Sequence, residues 1–107
     1  MESEEIQEVA FNIILDSGNA RTLVHEGFQA MREDQFKEAE EKLEEANESL
    51  IKAHNVQTKL LHDYAGGTEI TIDVIMVHAQ DHLMTTMTLR EIALEMLMMH
   101  RKFEKEQ

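Results

Sequence analysis

Apolar and small residues recur every three or four positions along the first third of the chain. They fall at Ile6, Val9, Ala10, Ile13, Ser17, Ala20, Val24 and Phe28. Because an α-helix turns once in about 3.6 residues, this spacing places them on one helical face. We predict a first helix over residues 3–31, with Ser3 as its N-cap. Gly18 and Gly27 lie within it, and we expect Gly18 to mark the close approach of another backbone.

A second stripe repeats every seven residues and alternates large with small side chains. One heptad position holds Phe36, Leu43 and Leu50, and the other holds Ala39, Ala46, Ala53 and Leu60. This pattern is typical of a helix packed in a bundle, where large residues of one helix meet small residues of another. We predict a second helix over residues 34–64, capped by Asp34. Gly66 and Gly67 should end it, since glycine readily takes the left-handed conformation of a C-terminal cap.

The third segment is apolar around most of its circumference, and we predict a helix over residues 71–105 with Thr71 as its cap. One stripe contains Ile75, Ala79, Leu89, Ala93 and Met96, and a second contains Ile72, Met76, Leu83, Met87, Leu94 and Leu97. A helix that is hydrophobic nearly all round is buried nearly all round. Since two neighbouring helices cover only part of it, we expect the remainder to meet another copy of the chain.

The connections between the three segments are short, which favours antiparallel neighbours. We therefore predict an all-α fold, an antiparallel up-down-up three-helix bundle that forms a single domain over residues 1–107. The composition agrees, because the chain has no Pro and only four Gly. It also has no Cys, which excludes a disulfide framework, a thiolate zinc site and a cysteine nucleophile.

The formal net charge of the chain is −12. Such a surface repels phosphate backbones, so we expect no nucleic-acid partner, whereas a basic protein partner would be attracted. The charge is equally consistent with a surface that only keeps a helical protein dissolved. The acidic start of the chain lacks the features of a secretory signal, and no apolar run reaches the length of a membrane span. We expect a cytoplasmic protein.

A polar group interrupts the apolar third segment. Its members are His78, Asp81, His82 and Thr85, spaced i, i+3, i+4 and i+7, so they share one face of a helix. Because the rest of this helix favours burial, we expect the charge of Asp81 to need compensation by a metal ion, a proton or a cationic neighbour.

Three interpretations of this group remain open from spacing alone. It could be a set of satisfied polar residues in the core or at the surface. It could bind metal, because histidine pairs at i, i+4 ligate zinc, and His-x-x-Asp-His is similar to the inverted zinc-hydrolase motif with Asp in place of Glu. Alternatively, one imidazole could act as a nucleophile that accepts and passes on a phosphoryl group.

The residues around this group resemble the lactose/cellobiose-type IIA components of the bacterial sugar phosphotransferase system. The strongest match is the segment over residues 76–84, MVHAQDHLM. Further similarity lies in residues 17–21 (SGNAR), in residues 41–54 (EKLEEANESLIKAH) and in the Gly66-Gly67 break. The resemblance covers essentially the whole chain.

The resemblance implies a phosphotransferase component that works as a homotrimer of three-helix bundles. In such a system His78 would accept a phosphoryl group from the histidine-phosphorylated general phosphocarrier protein. It would pass the group to a cysteine of the IIB component, for a sugar that enters through the membrane IIC component. Asp81 matches the acidic residue that each of three subunits directs at a metal ion on the trimer axis. Mg²⁺ would suit such a site, because it prefers oxygen ligands.

His82 matches a further histidine of the family segment and is the first candidate to hold the phosphoryl oxygens, with Thr85 and Gln57 as weaker ones. An alternative from another class is a helical metal-binding or scaffolding protein that uses His78, Asp81 and His82 without phosphotransfer. The sequence does not identify the sugar, which could be lactose, cellobiose, chitobiose or another disaccharide.

Overall fold

Three long helices make up the computed structural model, which describes residues 2–106. They are α1 (Ser3–Arg32), α2 (Phe36–Ala65) and α3 (Val74–Glu106). The short connections reverse the chain twice, so α2 runs antiparallel to its neighbours and α1 runs parallel to α3. The bundle measures 58 × 21 × 18 Å. The predicted up-down-up three-helix fold is confirmed, with helix boundaries that differ from the sequence prediction by up to three residues.

The core lies along one seam of each helix. On α1 and α2 the predicted stripes are buried, with Val9, Phe28 and Phe36 half-buried at the edges. On α3 neither predicted stripe forms the core by itself. The buried positions of this helix are Met76, Ala79, Leu83, Thr86, Ala93 and Leu97. With the half-buried Arg90 between Thr86 and Ala93, the seam repeats every 3.5 positions on average, the period of a helix that stays against its neighbours over its full length.

The closest approach between α1 and α2 is at Gly27. A Cβ atom built on Gly27 would lie 3.2 Å from Leu43 Cδ2 and 3.6 Å from the Ala39 carbonyl oxygen. Only a residue without a side chain lets Leu43 reach this depth. The prediction that Gly18 marks the approach of another backbone is wrong. The nearest atom to a Cβ built there is Nε2 of the His82 side chain, at 3.8 Å.

The α1–α2 connection is a C-terminal cap of α1. The Asp34 amide donates to the Met31 carbonyl at 3.1 Å, and the Gln35 amide donates to the Ala30 carbonyl at 2.8 Å. These two bonds make a Schellman motif, in which Asp34 takes the left-handed position with φ of 60°. The prediction that Asp34 caps α2 is therefore wrong, and Gln35 is the N-cap residue of that helix.

The end of α2 is a second motif of the same kind. Gly67 has φ of 102°, its amide donates to the Tyr64 carbonyl at 3.1 Å, and the Thr68 amide donates to the Asp63 carbonyl at 3.0 Å. The prediction that the glycine pair ends this helix is confirmed. Gly67 is the member that needs a positive φ, since Gly66 has φ of −81°.

Two predicted N-caps are also corrected. The cap of α1 is Glu2, which makes no side-chain hydrogen bond to the helix, and Ser3 is already helical. At α3 the cap is Asp73, which lies three residues before Met76. Its carboxylate accepts a hydrogen bond from the Met76 amide at 2.9 Å, so the helix begins after Asp73 and Thr71 lies outside it.

Much apolar surface remains uncovered on a single chain. Within the described residues fourteen large hydrophobic side chains are exposed, and eight of them lie on α3. They are Val74, Val77, Met84, Ile92, Met96, Met98, Met99 and Phe103. This distribution agrees with the expectation that the third helix has more apolar surface than one bundle can bury. No helix among the described residues is long and apolar enough to cross a membrane.

Candidate functional site

His78 and His82 project in the same direction from the first half of α3. Their ring centroids are 6.0 Å apart and their planes differ by only 3°. The separation equals the rise of four helical residues at about 1.5 Å each, so the helix itself sets it. Asp73 caps α3 one turn before His78. This segment of helix thus presents two parallel imidazoles as a row along its surface.

His78 and Asp81 are both exposed on a single chain. Among the described residues, no side chain donates a hydrogen bond to the Asp81 carboxylate or forms an ion pair with it. The expectation that Asp81 needs compensation is not met within one chain, because water solvates the exposed carboxylate. Its surroundings would change only if another molecule covered this face.

His82 is the half-buried member of the group and packs against α1 at Gly18. Burial lowers the pKa of His82 below 6.5, and the charges of Arg21 and His78 lower it further, while Asp81 acts in the opposite direction. The neutral imidazole is therefore favoured, and it can both donate and accept a hydrogen bond.

Two weaker candidates are engaged in other contacts. The Thr85 hydroxyl donates to its own helix, at 2.8 Å from the Asp81 carbonyl and 3.3 Å from the His82 carbonyl. The Gln57 amide donates across the bundle to the Gln80 side-chain oxygen, and the Gln80 amide contacts the Met76 sulfur at 3.4 Å. These bonds leave His82 as the neighbour of His78 that can donate a hydrogen bond, whereas the Asp81 carboxylate can only accept one.

Sequence reasoning did not single out Gln80 or Arg21 as site residues. Gln80 lies two residues from His78 and joins α3 to α2 through Gln57. Arg21 lies on α1, and its charge acts on His82. Gln80 could have been identified from its position inside the polar segment. The hydrophobic pattern of the first helix gives no indication that Arg21 lies near His82, which is about sixty positions later in the sequence.

One chain does not form a metal site. Across the described residues there is no group of three or more His, Asp or Glu side chains that could hold a metal ion. The other histidines are at exposed positions: His25, His54, His62 and His100. A metal at Asp81 would accordingly require ligands from more than one copy of the chain.

The arrangement suits a group that is passed between proteins. An exposed imidazole can reach a partner's reactive atom, and a neutral neighbour one turn away can donate a hydrogen bond to an oxygen of the transferred group. The apolar side chains of Val74 and Val77 beside His78 are 84% and 58% exposed. They provide a surface on which a protein partner could dock.

The family model for the lactose/cellobiose-specific IIA subunit of the phosphotransferase system matches residues 8–101. A lichenan-specific phosphotransferase enzyme IIA component of Bacillus subtilis is 39% identical over 104 residues, which cover 97% of this chain and 94% of the relative. The crystal structure of PtcA from S. mutans superposes with a TM-score of 0.93 at 64% identity. That match covers 94% of this chain and 99% of PtcA.

A solution structure of the chitobiose IIA component of Escherichia coli in complex with HPr is also similar. Its TM-score is 0.78 at 34% identity, and the match covers 97% of this chain and 99% of that one. In every case the similarity extends over nearly the full length of both chains, so it includes the bundle as well as the histidine segment.

Proposed function

Because the chain belongs to the lactose/cellobiose-specific IIA family of the sugar phosphotransferase system, we propose that it carries a phosphoryl group on His78. The observation that carries this proposal is the exposed His78 imidazole with the parallel His82 ring one turn away. A nucleophile that exchanges phosphate with two different proteins has to be accessible, and His78 is. His82 is the supporting residue, placed to donate a hydrogen bond to a phosphoryl oxygen.

The transfer needs no cofactor and balances as follows. A lone pair of one His78 nitrogen forms a new N–P bond while the N–P bond of the donor phosphohistidine breaks, and that electron pair returns to the donor imidazole. The proton released from the other His78 nitrogen balances the one that the donor imidazole takes up. In the next step a cysteine thiolate forms an S–P bond and the electron pair of the N–P bond returns to His78. Positioning and charge stabilisation account for most of the catalysis in such transfers.

The proposed donor is the histidine-phosphorylated general phosphocarrier protein, and the proposed acceptor is a cysteine of the IIB component. The E. coli chitobiose IIA structure in complex with HPr supports the first of these partners. The membrane IIC component would take part only indirectly, by admitting the disaccharide that IIB phosphorylates. A carrier that takes part in this series of phosphoryl transfers works in the cytoplasm.

We also infer that the active form is a homotrimer that buries the apolar face of α3. Eight large hydrophobic side chains are exposed on that helix, more than on the other two together. Asp81 lies on the same helix, and no side chain of the described residues pairs with it. Three Asp81 carboxylates brought together would repel one another, and a divalent cation such as Mg²⁺ would neutralise them, because it prefers oxygen ligands.

The decisive experiment is phosphorylation of the purified chain by the upstream phosphodonor proteins. The wild type should gain an acid-labile, base-stable phosphoryl group. His78→Ala should gain none, while His62→Ala, a matched change at another exposed histidine, should behave as the wild type. A His78→Ala protein that still relays phosphate to sugar would falsify the proposal. Stoichiometric zinc binding by His78 and His82 without phosphorylation would instead favour the metal-binding alternative.

The trimer and its ion can be tested separately by sedimentation and metal analysis. The wild type should sediment as a trimer with about one divalent ion per three chains. Asp81→Ala should abolish binding of the ion, since it removes the carboxylate ligand. The same change removes the mutual repulsion of the three carboxylates. A chain that stays monomeric at micromolar concentration would contradict the proposed trimer. A trimer whose ion content is changed neither by chelation nor by Asp81→Ala would contradict the proposed metal site.

A further inference from the structure

A phosphoryl group on His78 creates an electrostatic problem for this chain. The dianion would be added to a protein with a formal net charge of −12, beside the exposed carboxylate of Asp81. Phosphoryl transfer sites usually contain a cation that balances the developing charge. The surroundings of His78 should therefore include a positively charged side chain that is not already neutralised.

Four of the ten Lys and Arg side chains already have partners among the described residues. Lys42 pairs with Glu26 at 2.9 Å, Lys59 with Asp63 at 3.9 Å, and Arg101 with Glu40 at 2.7 Å. The Arg90 Nε–H donates to the Leu43 carbonyl at 2.8 Å. These contacts already use the charge or the hydrogen-bonding capacity of the four side chains.

Arg21 differs from these residues. It is exposed, and among the described residues its guanidinium has neither a hydrogen-bond partner nor an ion pair. It follows Gly18 by three residues, so the two share one face of α1. Gly18 faces His82, since a Cβ atom built on Gly18 would lie 3.8 Å from His82 Nε2. Arg21 therefore lies on the flank of α1 that faces the histidine row.

The direction of the side chain supports this placement. Long side chains on a helix usually lean back toward its N-terminus, so we expect the Arg21 guanidinium to lie toward the turn that holds Gly18. Since α1 runs parallel to α3, the same direction leads along the row from His82 to His78. The charge of Arg21 also acts on the His82 ring, as expected for two side chains on facing flanks of α1 and α3.

We propose that Arg21 is a phosphate-binding residue of this site, and that its guanidinium contacts the phosphoryl oxygens on His78 from the side of His82. This inference rests on the proposed function of His78. The guanidinium keeps its charge at any physiological pH, and its planar fork matches two oxygens of a phosphoryl group. Arg21 takes up no proton during transfer. It orients the group and offsets its charge as the N–P bonds form and break.

The experiment compares Arg21→Gln and Arg21→Lys with Arg32→Gln in the full-length chain. Arg32 is exposed on the same helix, about 16 Å further along, and the substitution changes the net charge equally. The readouts are kcat and KM for phosphoryl acceptance from the phosphorylated general phosphocarrier protein, and the phosphorus NMR shift of phospho-His78. We expect Arg21→Gln to lower kcat roughly 10- to 100-fold and to move the phosphorus resonance, with KM changed less than about twofold.

Arg21→Lys should recover part of kcat, because it restores the charge without the planar fork. Arg32→Gln should leave kcat and the resonance as in the wild type. The inference is overturned if Arg21→Gln matches Arg32→Gln in both readouts. It is also overturned if kcat falls only because the assembly dissociates in sedimentation, since Arg21 would then serve the subunit contact. A wild type that is not phosphorylated at all would refute the proposed function itself.

Discussion

The imidazole rings of His78 and His82 lie parallel, 6.0 Å apart, and the two residues differ sharply in their surroundings. His78 is exposed, whereas His82 is half-buried against Gly18 of α1. The spacing comes from the helix alone, but the difference in burial comes from the packing of α1 on α3. The same pair of residue types can thus divide the work between a reactive group and a supporting one.

The supporting role predicts a partial defect when His82 is replaced. His82→Ala should still accept phosphate on His78, but the rate of transfer should fall about 10- to 100-fold, because a positioned hydrogen-bond partner is lost. Single-turnover transfer from the phosphorylated donor measures this rate. His100→Ala, at an exposed position of the same helix, is the control. A His82→Ala protein that transfers phosphate at the wild-type rate would contradict the supporting role.

The pKa of His82 should lie below 6.5, as an NMR titration of the ring protons can measure. Burial is the main cause and Arg21 is the second, so Arg21→Gln should raise the pKa without restoring it fully. As pH falls below 6.5 the unfolded chain takes up the proton before the folded protein does, so this group lowers stability on acidification. A His82 pKa above 6.5 in the wild type would contradict the structure.

The left-handed conformation of Asp34 should cost stability. With φ of 60°, this residue occupies a position that glycine fills with less steric strain, as Gly67 does in the equivalent motif at the end of α2. Asp34→Gly should raise the free energy of unfolding by about 0.5–1 kcal/mol, measured by urea denaturation. Asp34→Ala, which keeps the steric cost, should bring no such gain.

Alanine at the two glycines of α1 should have unequal effects. Each change raises helix propensity by about 1 kcal/mol. At Gly18 the new Cβ would make an ordinary contact, 3.8 Å from His82, whereas at Gly27 it would lie 3.2 Å from Leu43. Gly18→Ala should therefore be the more stable variant by about 1 kcal/mol in thermal or urea unfolding. Equal stabilisation by both changes would mean that Leu43 moves aside without cost.

Thr86 is buried in the seam of α3, and its hydroxyl has no hydrogen-bond partner among the described residues. A buried polar group without a partner costs free energy. Thr86→Val keeps the shape of the side chain and removes the hydroxyl, so it should stabilise the fold by about 1 kcal/mol. Thr86→Ser, which keeps the hydroxyl and loses the methyl group, should destabilise it. Denaturant titration of both variants distinguishes the two effects.

The predictions from sequence were accurate where a local repeat carries the information. The heptad seam of α2 and the stripe of α1 were both confirmed, because a helix face depends only on spacing along the chain. On α3 the apolar residues surround the helix, so several faces fit a core equally well. The observed seam includes Thr86, which a hydrophobic pattern omits, and combines residues from both predicted stripes.

The helix ends show the same limit. Asp34 is a residue type that often caps a helix N-terminus, yet it takes part in the end of α1. The three-residue connection to α2 closes through a Schellman motif with Asp34 in the left-handed position. Asp73 rather than Thr71 caps α3, because the Asp73 carboxylate lies where it can accept a hydrogen bond from the Met76 amide, three residues later. Several residues near each end had suitable side chains, and backbone geometry selected among them.

By itself, the sequence determined three helices, their antiparallel order, and one face of the third helix that holds His78, Asp81 and His82. These features follow from spacing and composition within single segments. Only the tertiary structure decided that His82 lies opposite Gly18, that Gln57 bonds Gln80, and that the charge of Arg21 acts on His82. Each of these contacts joins residues more than twenty positions apart, and their meeting depends on the register in which whole helices pack.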